Sequence, residues 1–182
     1  EPVFEKQSGW KRFYLDLPGT GKTEAKGWLT SSDQILDIVL GFVDSVIPDQ
    51  RFALVGSSYG GYLARGVVYR RPALVDGLLM ICPAVIADRK KRTLPRHVAL
   101  VRNAKFMDSL EPSQRELFES FAVVQTKRTW ERTRDEVITG LDIADKEFFS
   151  RLQAHGYVFS FGVDNMPSSF DKPTLILLGR QD

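Results

Sequence analysis

Cysteine and histidine are scarce in this chain: Cys82 is its one cysteine, and His97 and His155 are its two histidines, in 182 residues. A single cysteine excludes an internal disulfide and any cysteine-rich metal site. Neither sign of charge is in excess. The 25 basic and 23 acidic side chains leave a formal charge of +2, too small to mark a nucleic-acid binder or a partner for strongly acidic substrates. Long hydrophobic runs are missing too; the longest, around Gly77 to Val85, falls well short of a membrane span. What is present is ordinary globular composition, 43% hydrophobic and 26% charged, with enough length to bury a real core. The expected partner is a small molecule, with no nucleic acid, no membrane, no metal and no cofactor.

Four short apolar runs stand out: Phe13–Leu17, Phe52–Gly56, Gly77–Cys82 and Thr174–Gly179. They lack alternation and read as strands buried on both faces, as in a parallel sheet. Between the first two, Ser31–Ile47 carries Ile35, Val39, Phe42, Val43 and Val46 at helical spacing. A capping box of Ser31 and Gln34 opens this helix and Pro48 stops it. A second helix is expected from about Tyr59 to Arg71, ending at Pro72. The order strand, helix, strand, helix, strand marks an α/β fold with a mostly parallel sheet and right-handed crossovers.

After Cys82 the patterns turn helical, and no strand is expected from about Ala87 to Phe161. A capping box of Ser113 and Glu116 opens an amphipathic run through Leu117, Phe118, Phe121 and Val124. A further helix is expected over Ala144–Ala154, stopped by Gly156. The aromatics of this region (Phe106, Phe118, Phe121, Trp130, Phe148, Phe149, Tyr157, Phe159 and Phe161) read chiefly as packing. The expected organisation is a first part of the core over 1–86, an inserted helical lid over 87–166 and a return strand over 167–182. Such a lid belongs over the carboxyl end of the sheet, where open α/β sheets bind ligands. The basic run Arg89–Arg92, with Arg96, reads as a solvated edge of the lid. Cys82 reads as a buried, inert thiol.

Two glycine-rich stretches compete for the chemistry. DLPGTGKT, Asp16 to Thr23, invites a nucleotide-binding reading. A phosphate loop of Gly-x-x-x-x-Gly-Lys-Thr form needs glycine where Asp16 stands, and a helix opening at Lys22-Thr23 where a polar stretch intervenes. The second stretch, Gly56-Ser57-Ser58-Tyr59-Gly60, is Gly-x-Ser-x-Gly between an apolar run and an expected helix, the setting that motif requires. There Ser58 would occupy a sharp, strained turn that lifts its Oγ clear of the sheet. Gly56 and Gly60 are expected to be small because a Cβ would strike the adjoining strand or helix, and Gly61 to give the helix room. The Tyr59 amide, at the helix N-terminus, can face a developing oxyanion.

With these motifs the chain resembles the α/β-hydrolase superfamily over most of its length. FALVGSSYGGYLARGVVYRRP looks like the family's nucleophile strand, elbow and following helix. ALVDGLLMICPAV resembles the next strand, after which lids are commonly inserted. FDKPTLILLGRQD resembles the strand that delivers the acid, Gly179 to Asp182 matching its Gly-x-x-Asp ending. DLPGTGKT resembles the family's Asp-x-Pro-Gly-x-Gly loop, which implies a turn shaped by Pro18, Gly19 and Gly21 in place of a nucleotide site. The resemblance implies Ser58 as nucleophile, the Tyr59 backbone as oxyanion donor and Asp182 as the acid that orients a histidine. The family order Ser, Asp, His puts that histidine beyond Asp182. His97 and His155 fall in the lid, and His155 suits a helix C-terminus. A second oxyanion donor is expected upstream of Glu1. The expectation is a fragment of a longer core, inactive alone, with a cytoplasmic location as the default. A serine at the elbow implies acyl transfer on a small, partly apolar ester, thioester, amide or activated carbon–carbon bond substrate. The competing classes are a non-catalytic binding protein on the same fold and the nucleotide-binding ATPase suggested by DLPGTGKT.

Overall fold

Ser31 opens the first long helix as its sequence requires. In the computed structural model, which describes residues 2–166 and 168–181, its Oγ accepts the Gln34 N–H at 3.3 Å while the Gln34 Oε1 accepts the Ser31 N–H at 3.2 Å. A single helical turn, α1 (Pro2–Glu5), precedes this, and the capped helix is α2 (Ser32–Val46), which buries Ile35, Leu36, Leu40 and Val43. Next come β1 (Phe52–Ser57), α3 (Tyr59–Arg70) and β2 (Val75–Ile81), with a 3₁₀ turn at Pro72–Leu74 ending α3 where the proline was expected to. The last strand is β5 (Thr174–Leu177). The order β1-β2-β5 is parallel throughout, with Val55 beside Leu79 and Leu79 beside Leu175.

Two strand expectations change. Residues 13–17 join no ladder, although their residue types suit a strand. Pairing rather than propensity makes a strand, and here Phe13 packs edge-on against Phe42 of α2 while Leu17 reaches the core. The sheet is also covered on one face alone among the described residues. Leu78 and Met80 are buried with the helices, whereas Val55 and Leu175 on the opposite face are each 56% exposed. A continuous apolar run cannot reveal how many helical layers pack on it.

Between β2 and β5 the chain is mainly helical but not wholly so. Val101–Arg102 (β3) pairs in parallel with Val124–Gln125 (β4), correcting the expectation of no strand; two residues are too few to show periodicity. The helices are α4 (Ala104–Met107), α5 (Pro112–Phe121), α6 (Lys127–Thr133), α7 (Thr139–Asp142) and α8 (Lys146–His155), with a π-turn at Arg134–Ile138. The Ser113 capping box does not form. Pro112 takes the first helical position with Glu111 as cap, because its fixed φ is already helical and it has no N–H to satisfy. Helix α8 ends at Gly156, whose added Cβ would lie 2.8 Å from the Ser31 Cα.

The apolar residues form two clusters. Met107, Phe118, Ala122 and Trp130 pack among themselves within the middle segment. Phe148, Leu152 and Phe159 instead join α2, α3 and the sheet in the main core. Among the described residues no helix is long and apolar enough to cross a membrane.

Candidate active site

One residue separates β1 from α3, and it is Ser58. Its φ of 49° and ψ of −115° put a non-glycine residue in the left-handed half of backbone space, at a cost of about 1–3 kcal/mol. Backbone hydrogen bonds hold the turn on both sides. The Ser58 N–H donates to the Ile81 carbonyl at 2.9 Å, and its own carbonyl accepts from Gly61 (3.0 Å), Tyr62 (3.3 Å) and Ala84 (3.0 Å). Ser58 as a residue stays exposed, at the carboxyl end of the sheet. The N–H groups of Tyr59 and Gly60 belong to the first helical turn and donate to no backbone carbonyl among the described residues.

Glycine is required at two of the three expected places. A Cβ on Gly56 would meet the Gly60 carbonyl carbon at 2.6 Å and the Gly61 Cα at 2.7 Å; one on Gly61 would meet the Pro83 Cβ at 2.7 Å. A Cβ on Gly60 would meet nothing within 4 Å, so the expected collision there is absent. The motif's spacing does not say which glycine faces a neighbour.

The side chain of Tyr59 turns inward. Its hydroxyl lies 2.7 Å from the Oγ of Ser32, a fully buried residue, and that Oγ donates to the Tyr157 carbonyl at 2.8 Å. Ser32 has one hydroxyl hydrogen and the carbonyl claims it, so Tyr59 is the donor in the first bond. The Tyr59 ring lies 4.9 Å from that of Tyr157, and Tyr62 stacks on Phe159 at 4.2 Å. Burial pushes the Tyr59 phenol above its ordinary pKa, with the Ser32 hydrogen bond opposing in part. Tyr157, Phe159 and Phe161 are thus packing residues as expected, but against α3. Sequence reasoning passed over Ser32, since a serine beside a capping serine carries no signal of its own.

Cys82 follows β2 and corrects the expected buried thiol. It is exposed, with φ of 45°, and its N–H donates to the Leu177 carbonyl at 2.8 Å. The paired register stops at Ile81, so Cys82 stands one residue past it. Asp182, the expected acid, lies outside the described residues. Its neighbour Gln181 accepts the Val98 N–H at 2.7 Å and donates to the Val98 carbonyl at 2.9 Å. His97 lies with Nε2 3.1 Å from the Glu119 carbonyl, and His155 ends α8. Neither makes a hydrogen bond to Ser58 among the described residues. The structure therefore brings together Ser58 and the Tyr59 amide, with Cys82 next in sequence to the Ile81 that accepts the Ser58 N–H.

DLPGTGKT closes on itself. Gly19 N–H donates to the Thr23 carbonyl, Thr20 N–H to that of Leu17, and Thr23 N–H to that of Thr20, all at 2.8–2.9 Å. Lys22 N–H donates to the Asp16 carboxylate at 3.0 Å. Gly19 and Gly21 take φ of 81° and 53°, and a Cβ on Gly21 would strike that carboxylate. The amides of Gly19, Thr20, Lys22 and Thr23 are thus engaged, and no helix starts at Lys22. A cleft of about 900 Å³ lies between this turn and α7–α8, lined in part by Val137, Leu141, Ile143 and Phe149. A second, of about 410 Å³, is lined by Arg65, Leu78, Met80, Met166 and Phe170. Neither includes Ser58 in its lining.

Comparison with known proteins agrees with this architecture. A search of curated proteins gives no match. Among solved structures, the chain is similar to an alpha/beta superfamily hydrolase from Oenococcus oeni PSU-1, with a TM-score of 0.81 and 30% sequence identity. The match covers 93% of this chain and 62% of that one, so this chain spans less than two thirds of that protein's length. The sequence matches the profile of the alpha/beta hydrolase family over residues 5–182, a range that takes in the closed turn, the strained serine and all three parallel strands. The chain belongs to the alpha/beta hydrolase family.

Proposed function

We propose that this chain carries the nucleophile of a serine hydrolase that works by acyl transfer. The substrate class is a small, partly apolar ester, thioester, amide or activated carbon–carbon bond. The observation that supports this most is the turn at Ser58: a strained, exposed serine between a parallel strand and a helix N-terminus whose first two amides donate to no backbone carbonyl among the described residues.

In this reading the Ser58 Oγ attacks the substrate carbonyl while its proton passes to a histidine, which the family order places after Asp182 in the chain. Asp182 accepts a hydrogen bond from that imidazole and fixes its tautomer. The Tyr59 N–H donates to the oxyanion as it forms, a contribution of about 10²–10³ in rate for one such donor. Collapse of the tetrahedral intermediate forms the acyl-enzyme and releases the leaving group with the proton from histidine; water then takes the acyl group by the reverse sequence. Residues 87–166 serve as the lid over this end of the sheet.

A fluorophosphonate tests the reading. The intact protein should gain one covalent adduct, mapped to Ser58 by mass spectrometry and absent from Ser58→Ala. No adduct at Ser58 in folded protein would reject the serine mechanism in favour of a non-catalytic binding role.

A further inference from the structure

Backbone bonds fix Ser58, but the residue after it is held by its side chain. The Tyr59 hydroxyl donates to Ser32 Oγ, and the same Oγ donates to the Tyr157 carbonyl. Ser32 also donates its backbone N–H to the Gly156 carbonyl at 2.8 Å. The Asp33 carboxylate accepts the Ser160 N–H at 3.1 Å and its Oγ at 2.7 Å. From the side of α3, the Tyr62 hydroxyl accepts the Phe159 N–H at 2.7 Å. The first turn of α2 and two tyrosines of α3 thus grip residues 156–160, the strap by which the middle segment returns to the core. Gly66 makes room for this grip, since a Cβ there would lie 2.8 Å from both Leu36 and Phe159.

We propose that Ser32 is a positioning residue for the Ser58–Tyr59 elbow, with its hydroxyl linking the helix N-terminus that bears the Tyr59 amide to the strap at Gly156–Ser160. The inference rests on the serine hydrolase reading, because it assigns Ser32 an effect on the orientation of that amide. Ser32 has one hydroxyl hydrogen, and both of its hydroxyl bonds are made in a buried site. A shift of the strap therefore moves the acceptor that Tyr59 uses. Small displacements matter here, since a misplacement of about 1 Å can cost 10²-fold in rate.

The test compares wild type, Ser32→Ala, Tyr59→Phe and the double variant in the intact protein. Fluorophosphonate labelling at Ser58, steady-state ester hydrolysis and urea midpoints are measured for each. Tyr59→Phe keeps the ring packing and the Ser32–Tyr157 bond, so it reports on the link even where Ser32→Ala folds poorly. The expected result is labelling and kcat reduced about tenfold or more in each single variant with KM within about twofold. The double variant should be no slower than the slower single, as for two members of one chain of bonds. Labelling by Tyr59→Phe at the wild-type rate would overturn the positioning role and leave the serine mechanism standing, as would losses that multiply in the double variant. An unlabelled Ser58 in wild type would overturn the serine mechanism and the positioning role together.

Discussion

Replacing Gly56 by alanine tests whether the elbow depends on the close approach of β1 and α3. The added Cβ would sit 2.6 Å from the Gly60 carbonyl carbon and 2.7 Å from the Gly61 Cα, and closer still to the Gly60 oxygen; ordinary contact begins at 3.4 Å. Every obstacle is backbone, so no side-chain rotamer can relieve the overlap. Overpacking typically costs about 1–3 kcal/mol, and an obstacle without rotamers puts Gly56→Ala at the upper end, about 3 kcal/mol. Reduced freedom of the unfolded chain returns only about 0.4–1 kcal/mol. In a chain of this size each kcal/mol moves Tm by about 2–4 °C, so the expected fall is roughly 4–10 °C. Gly60→Ala is the control, with nothing within 4 Å of its Cβ and a place in the first turn of α3. It should be neutral or stabilising by up to about 1 kcal/mol. Urea midpoints at unchanged m-value give both numbers. The reasoning is refuted if Gly56→Ala matches wild type within about 0.5 kcal/mol, or if Gly60→Ala is as damaging as Gly56→Ala.

Ser58→Gly should remove the cost of φ 49° and raise stability by about 1 kcal/mol while abolishing fluorophosphonate labelling; a lowered urea midpoint would show that the turn is not strained. The Tyr59 phenol has a folded-state pKa raised above 10.0 by burial, so its stabilising contribution is fully present below pH 10 and is lost as pH climbs through the folded value. Stability should fall there by about 1.4 kcal/mol per pH unit from this group, and the wild-type slope should exceed that of Tyr59→Phe; equal slopes would count against its burial. Millimolar ATP should leave Tm unmoved, whereas a site filled to 100 times its Kd would add about 2.7 kcal/mol; a rise of several degrees would restore the nucleotide reading of DLPGTGKT.

Local signals were readable in the sequence and long-range ones were not. Ser31 and Gln34 announce a cap because both partners of the box lie within one turn. Ser58 is legible for the same reason, since strand, turn and helix follow one another without a gap. Residues 13–17 misled because a strand needs a partner and the sequence does not name one. Ser113 misled because Pro112 had a stronger claim on the first helical position. Ser32 was invisible because its partners stand 27 and 125 residues away. Cys82 reads as buried because free cysteine is among the most buried residue types, yet it stands one residue past the paired register and is exposed.

The two glycine-rich stretches show why composition alone could not choose between them. Both supply positive φ and both follow apolar residues. What separates them is where their amide hydrogens go. In DLPGTGKT the N–H groups of Gly19, Thr20, Lys22 and Thr23 are satisfied inside the turn, three by carbonyls and one by the Asp16 carboxylate. An anion arriving there would have to break those bonds, and the Asp16 charge would repel it. At the elbow, a single strained residue reverses the arrangement. As the residue capping α3, Ser58 accepts Gly61 and Tyr62 at its carbonyl, and Ala84 as well, while the Tyr59 and Gly60 amides at the start of α3 donate to no backbone carbonyl among the described residues. In the proposed mechanism those two amides and the dipole of a 12-residue helix would provide electrostatic stabilisation where attack by Ser58 creates negative charge. The stretch that looked like an anion site has a carboxylate where the anion would sit, and the stretch proposed to carry the nucleophile has the two amides without a backbone acceptor among the described residues.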